Sequence, residues 1–249
     1  MTAPVFVVDH FDAGGGGGAG RYVLDGPEGR HAVSVKRLRA GEHVVLTDGA
    51  GRWAEGEVDA TEGKDRLIVR LGEVTEEPEE FPRLTVVQAL PKGDRGEVAV
   101  ETMTEVGVDV IVPWTASRCI TQWKGERGAK SLAKWRATAR EAGKQSRRVR
   151  FPEVADAATT RQVASLLADA SFAAVLHESG TGPLASAELP VSGDIVLVVG
   201  PEGGVSPEEL ELFAQAGAGA YRLGRSVLRT STAGTAAAAL LLGRTGRWS

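Results

Sequence analysis

The chain has 249 residues, a formal net charge of −4 at pH 7, 42% apolar residues and a single cysteine. That length and apolar content suit one large domain or a small plus a medium one, each with a proper core. No apolar run is long enough to cross a bilayer, no basic-then-apolar leader opens the chain, one thiol excludes an intramolecular disulfide framework, and four scattered histidines argue against a structural metal. The expectation is a cytoplasmic chain with no membrane and no metal partner.

Residues 4–74 read as β-rich. Segments 5–8, 22–24, 43–47, 52–58 and 67–71 are short β-branched or alternating runs divided by Gly and Asp turn signals, the pattern of a small barrel. The glycine run 14–18 lacks the strand before and the lysine-bearing helix after that a phosphate cradle needs, and reads as a loop tip. Segment 31–39 places Lys36, Arg37 and Arg39 close behind His31, which reads first as a packing histidine. Residues 76–82 are acidic with two prolines, a linker composition.

A second pattern follows the linker. A strand over 84–90, a helix over 96–106 stopped by Gly107, and a strand over 108–112 stopped by Pro113 make a βαβ rhythm, and hence a parallel sheet. The spacing predicts an amphipathic helix over 128–144, with Leu132, Trp135, Ala139 and Ala142 on the apolar face and Lys130, Lys134, Arg140 and Lys144 on the opposite one. Charge is concentrated here: residues 118–150 hold 11 lysines and arginines against 2 acids, net +9, whereas residues 1–80 hold 9 against 16, net −7. Such a block marks either a polyanion partner or a solvated helix face. A helix over 154–169 and a strand over 172–176 come next, ending in His177-Glu178, which reads equally as a capped loop or a site edge.

Residues 195–199 form a continuous apolar, β-branched run, a strand buried on both faces. It leads into Gly200-Pro201-Glu202-Gly203-Gly204, where missing Cβ atoms let a ligand approach backbone amides. Ser206-Pro207-Glu208-Glu209 then opens a helix, with Ser206 as N-cap, Pro207 first and Glu209 closing a capping box. A strand over 220–223 turns at Leu223-Gly224, and a loop through Val227, Leu228 and Arg229 leads to an Ala-rich helix over 233–242.

These two glycine turns, with Thr230-x-Thr232-Ala233 behind the second, resemble the RsmE family of SPOUT methyltransferases, which methylate N3 of a uridine in 16S ribosomal RNA. The resemblance covers nearly the whole chain. Lys92-Gly93, Thr104-Glu-Val-Gly-Val108 and Glu141-Ala142-x-x-Gln145-Ser146-x-Arg148 match further family motifs in order, and 31–39 matches a His followed by a basic segment in a PUA-like domain. Two positions depart from the pattern: Thr102 replaces a lysine, and Ser231 replaces a glutamate between Thr230 and Thr232.

The resemblance implies an α/β chain with a PUA-like RNA-binding β-barrel over 1–75 and a SPOUT parallel-sheet domain, knotted as a trefoil, over 83–249. It implies S-adenosylmethionine as cofactor, held by Leu176, Gly200, Pro201, Glu202, Gly203, Leu223, Gly224, Val227, Leu228 and Thr232. Arg148 and Arg229 are the expected catalytic cations, stabilising charge on the uracil oxygens as N3 loses its proton, with Glu105 or Glu202 as alternative acceptors of that proton. Arg37, Lys92, Arg118, Arg140, Gln145, Ser146 and Arg148 are the expected RNA contacts. The implied partners are 16S rRNA or the small ribosomal subunit and a second copy of the chain, packed through the small-residue helix. Ser231 or Thr232 is left with capping that helix. A SPOUT enzyme acting at another RNA position, or a non-catalytic RNA-binding protein on the same fold, is the competing reading.

Overall fold

The computed structural model describes residues 3–11 and 20–248. The glycine run 14–18 lies outside them. The chain divides into two compact units, one of residues 1–79 with 143–151, the other of residues 80–142 with 152–249.

The first unit contains β1 (Val5–Val7), β2 (Arg21–Leu24), a short α1 (Gly26–Arg30), β3 (His43–Thr47), β4 (Arg52–Glu62), β5 (Arg66–Leu71) and β6 (Thr75–Glu76). The strand order is β1-β3-β4-β5-β2, with β6 paired to β4. Phe6 on β1 and Leu24 on β2, the two ends of that order, belong to one buried cluster with Leu46, Ala54, Val58, Leu67 and Val69. The sheet thus curves around a single core, as alternation of inward apolar residues requires. His31 packs edge-on against Phe6, with ring centroids 5.9 Å apart.

Residues 143–151 dock on these strands. Thr47 Oγ1 donates to the Val149 carbonyl at 2.7 Å, and Phe151 N–H to that of Gly49 at 2.8 Å. Lys144 is only 8% exposed and its Nζ meets Glu28 at 2.8 Å. This corrects the expected basic helix face: Lys144 is a buried ion-pair partner, because Glu28 of α1 stands against the helix end.

The second unit holds β7 (Arg83–Ala89), α2 (Arg95–Val106), β8 (Val110–Trp114), α3 (Gly125–Gln145), β9 (Glu153–Val154), α4 (Thr160–Asp169), β10 (Phe172–Leu176), β11 (Gly182–Pro183), β12 (Asp194–Val199), α5 (Pro207–Gln215), β13 (Gly219–Arg222) and α6 (Thr230–Arg244). α3 ends within the segment grouped with the first unit. The sheet order is β11-β13-β10-β12-β7-β8-β9, and every pairing in it is parallel. β12 lies at its centre, its apolar run buried from Ile195 to Val199 as two covering layers demand. Gly107 ends α2 at φ 104, a conformation costly for any side chain.

Three expected helices change their bounds, the one over 128–144 beginning at Gly125. The helix expected over 154–169 begins at Thr160: Glu153 and Val154 pair with β8 as an edge strand, and Thr159 caps α4 with Gln162 in a capping box. The last helix begins at Thr230 rather than 233. Thr230 and Ser231 are buried in its first turn, and the buried Gln88 amide donates to the Thr230 carbonyl at 3.3 Å. Tertiary burial here overrides weak helix propensity. Neither Ser231 nor Thr232 caps this helix, because both fall inside it; Arg229 is the N-cap residue and supplies no side-chain cap.

The small residues of α6 serve packing within the chain. A Cβ on Gly234 would come within 2.9 Å of Met103 Sδ on α2, and Ala237, Ala238, Leu241 and Leu242 are buried. Thr102, which stands where the family pattern has a lysine, shares a 2.6 Å hydroxyl hydrogen bond with Thr235 of α6. Among the described residues no helix is long and apolar enough to cross a membrane.

Candidate active site

Parallel pairing puts the carboxyl ends of β10, β12 and β13 on one edge, and a pocket of about 580 Å³ opens there. Ligands of open α/β sheets bind at this edge because loops leave it together while helix N-termini return to it. The volume lies within the range of ~300–1,000 Å³ common for small-molecule sites.

Each wall has a local cause. β12 runs out at Val199, and the chain turns through Gly200 to Gly204, where Gly204 at φ 75 donates to the Pro201 carbonyl at 2.9 Å. Ser206 and Glu209 close the expected capping box on α5. Glu209 is buried and does more: Oε1 accepts the Ser117 N–H at 2.8 Å and the Thr160 hydroxyl at 3.1 Å, while Oε2 accepts the Ser206 N–H at 3.1 Å. β10 contributes Leu176 and the turn after it His177, whose Nδ1 accepts the Ser179 N–H at 3.2 Å, a local cap. β13 and the loop after it contribute Tyr221, Leu223, Gly224, Val227 and Leu228, and α6 adds Thr230 and Ala233.

Of the residues expected to hold the cofactor, Leu176, Gly200, Pro201, Glu202, Gly203, Leu223, Gly224, Val227 and Leu228 all line this pocket. Thr232 does not line it. Its side chain turns back along the helix, where Oγ1 donates to the Arg229 carbonyl at 3.3 Å. The lining mixes apolar side chains with exposed backbone of two glycine turns, and a Cβ on Gly224 would meet nothing within 4 Å. An adenine needs apolar walls and backbone donors and acceptors, a ribose needs polar neighbours, and a sulfonium with an amino-acid tail needs charged groups at one end. The donor set present fits all three.

The expected cations and RNA contacts are placed separately. Arg229 is exposed at the N-cap of α6 and lines the pocket. Arg148 belongs to the first unit, where its Nε donates to the Arg150 carbonyl at 2.9 Å; Ser146 Oγ donates to Gly143 O at 3.2 Å and Gln145 is exposed at the end of α3. Arg37, also in the first unit, is exposed with φ 56. Arg118 lines the pocket and donates to the Gly203 carbonyl at 3.0 Å. The exposed Lys92 donates its backbone N–H to Glu202 at 3.2 Å, and Arg140 is exposed on α3. Of the two carboxylates considered as proton acceptors, Glu202 lines the pocket and Glu105 lies on α2 outside its lining.

Arg95, Arg222, Arg225, Tyr221 and Val205 also line the pocket. Sequence reasoning does not find them. Arg222 and Arg225 flank a turn already singled out, but nothing in their spacing marks Arg95.

The RNA methyltransferase domain family matches residues 78–242, and the RNA methyltransferase PUA domain family matches residues 24–72. A protein of Mycobacterium bovis described as ribosomal RNA small subunit methyltransferase E is 42% identical over all of this chain and 94% of its own length. One of the same description from Bacillus subtilis is 28% identical over 85% of this chain and 86% of its own. Among solved structures, ribosomal RNA small subunit methyltransferase E of Neisseria gonorrhoeae, bound to S-adenosyl methionine, superposes with a TM-score of 0.84 at 28% identity, covering 98% of each chain. A methyltransferase from Legionella pneumophila in complex with the same cofactor gives 0.84 at 27% identity, again over 98% of each chain. With both of its parts matched in one order and a relative at this identity along its full length, the chain belongs to the RsmE family of RNA methyltransferases.

Proposed function

We propose that this protein transfers a methyl group from S-adenosylmethionine to N3 of one uridine in small-subunit ribosomal RNA. The observation that carries the reading is the convergence of the two glycine turns on one pocket at the carboxyl edge of the parallel sheet. When bound, the cofactor supplies an electrophilic methyl on sulfur. The chain's part is to hold the acceptor base in line and to manage one proton and one developing charge.

Leu176 and Leu228 would hold the adenine through apolar contact, and the backbone of Gly200 to Gly204 and of Leu223 and Gly224 would supply its polar contacts. Uracil N3 carries a proton that must leave as the new bond forms, with Glu202 of the pocket lining as our proposed acceptor, and its departure spreads negative charge onto the neighbouring carbonyl oxygens. Arg229 is our assignment for the cation that meets this charge, being exposed at the pocket wall with its guanidinium unspent. The PUA-like unit presents Arg37 to RNA. A C-terminal segment threaded as a knot and a second copy of the chain complete the arrangement we propose, in the cytoplasm where ribosomes assemble.

The test is incubation with labelled S-adenosylmethionine and small-subunit RNA, either free or assembled, followed by digestion to nucleosides. Label in 3-methyluridine is expected. Label on ribose or on another base would replace this reading with a different position, and no label with saturable RNA binding would leave a binding protein. Sedimentation at micromolar concentration reads the oligomeric state.

A further inference from the structure

Five arginines, Arg95, Arg118, Arg222, Arg225 and Arg229, line the pocket with two acids, Glu178 and Glu202. All five are exposed. Among the described residues Arg95, Arg222, Arg225 and Arg229 show no ion pair and no side-chain hydrogen bond, and Arg118 donates to the Gly203 carbonyl. The mouth of the pocket therefore carries uncompensated positive charge.

The basic helix that dominates the sequence's charge pattern is different. On α3, Lys130 pairs with Glu126 at 2.8 Å, Lys134 with Glu97 at 2.9 Å, and Arg136 with Asp156 at 2.9 Å. Each pair sets a carboxylate beside the cation, and an approaching phosphate meets both. Counting basic residues along the chain overstates this face. Guanidinium groups with open forks bind phosphate oxygens in two-point contacts that paired ammonium groups do not offer.

We infer that the arginines at the pocket mouth, Arg95, Arg222 and Arg225 above all, grip the RNA phosphates flanking the target nucleotide, and that the Lys130 and Lys134 face of α3 does not. The inference rests on the methyltransferase reading. A base that enters a pocket must leave its stack, so its own backbone crosses the rim, and the phosphates on either side fall where these arginines stand. Phosphate contacts of this kind set position and carry no sequence information.

The experiment titrates a fluorescent oligouridylate into protein saturated with S-adenosylmethionine over a series of salt concentrations. Wild type is compared with R95Q, with R222Q/R225Q and with K130Q/K134Q, and cofactor affinity is measured for each by calorimetry. The mouth variants are expected to bind RNA several-fold more weakly, with the log–log salt slope falling by roughly 0.7 for each single-strand phosphate that is no longer neutralised. Their RNA affinity is expected to fall by a larger factor than their cofactor affinity, and K130Q/K134Q to keep the wild-type slope. Unchanged slopes in the mouth variants, or weaker binding confined to K130Q/K134Q, would overturn the assignment. So would a fall in cofactor affinity with RNA binding intact, which would make these arginines partners of the cofactor's carboxylate. Wild type that binds neither cofactor nor RNA sinks the methyltransferase reading itself, whereas wild type that binds both while the mouth variants match it sinks only this surface.

Discussion

The Arg118 guanidinium donates through Nη1 to the Gly203 carbonyl at 3.0 Å, tying the loop after β8 to the glycine turn after β12. The two loops pack closely, since a Cβ added to Gly203 would lie 3.2 Å from the Arg118 Cβ. Arg118 is thus a brace for the pocket wall as well as a charge at its mouth.

This contact separates two ways of filling the site. Gly203→Val pushes first on the Arg118 Cβ and its backbone carbonyl, whereas Gly224→Val projects into open space and carries no positive-φ strain. Gly224→Val is expected to weaken S-adenosylmethionine binding by at least about tenfold, or ~1.4 kcal/mol, with the thermal midpoint little changed. Calorimetry beside a melting curve checks it. Undiminished binding would place the cofactor elsewhere.

Glu209 holds the other side of the same wall. Glu209→Ala leaves the buried Ser206 N–H without its acceptor and removes the acceptor of the Ser117 N–H and of the half-buried Thr160 hydroxyl. At about 1–3 kcal/mol for each buried polar group left unsatisfied, a loss on the order of 3 kcal/mol is expected in urea unfolding. Glu209→Gln, which keeps two acceptor lone pairs on one oxygen, should recover part of that and show a weakened cofactor affinity in the folded protein.

Arg247 forks onto Asp109, with Nη2 to Oδ1 at 3.1 Å, and reaches Glu80 at 2.8 Å. Burial alone lowers its pKa, but the hydrogen bond and charge of Asp109, then those of Glu80, outweigh it, and the net shift is upward. A cation raised in the folded state contributes stability that is complete below its unfolded pKa and is lost only as pH rises through the folded value. Arg247→Ala should therefore cost about 3 kcal/mol, by leaving Asp109 short of a buried partner, and the cost should be constant across neutral and mildly alkaline pH. Denaturant melts at several pH values test both parts.

Cys119 is buried, its thiol directed to the Trp114 carbonyl at 3.8 Å, and burial pushes its pKa up. Folding favours the neutral thiol, so that contribution is present below the unfolded pKa and declines as pH rises through the folded one. Alkylation by iodoacetamide at mildly alkaline pH is expected to be slow in the native protein and fast in urea. Equal rates would show that the loop carrying Arg118 opens readily.

Much of this molecule can be read locally. The apolar run over 195–199, Gly107 ending α2, and the Ser206–Glu209 capping box are statements about neighbouring residues, and the structure reproduces them. Segment 153–154 is an edge strand that sequence patterning absorbs into a helix, because two residues have no period to detect. The true start of α6 is hidden from local pattern because its first turn is held by burial and by Gln88, far away in the chain.

By itself the sequence determined the βαβ rhythm, the two glycine turns and the family they resemble, since each is carried by residue type and short spacing. Tertiary structure decided which charges are spent. Lys144 finds Glu28 across 116 residues and is buried, Lys134 finds Glu97, and among the described residues Arg95, Arg222 and Arg225 stand unpaired at one pocket mouth. Backbone conformation follows from neighbours in the chain, whereas the state of a charge depends on what folding brings within a few ångströms of it.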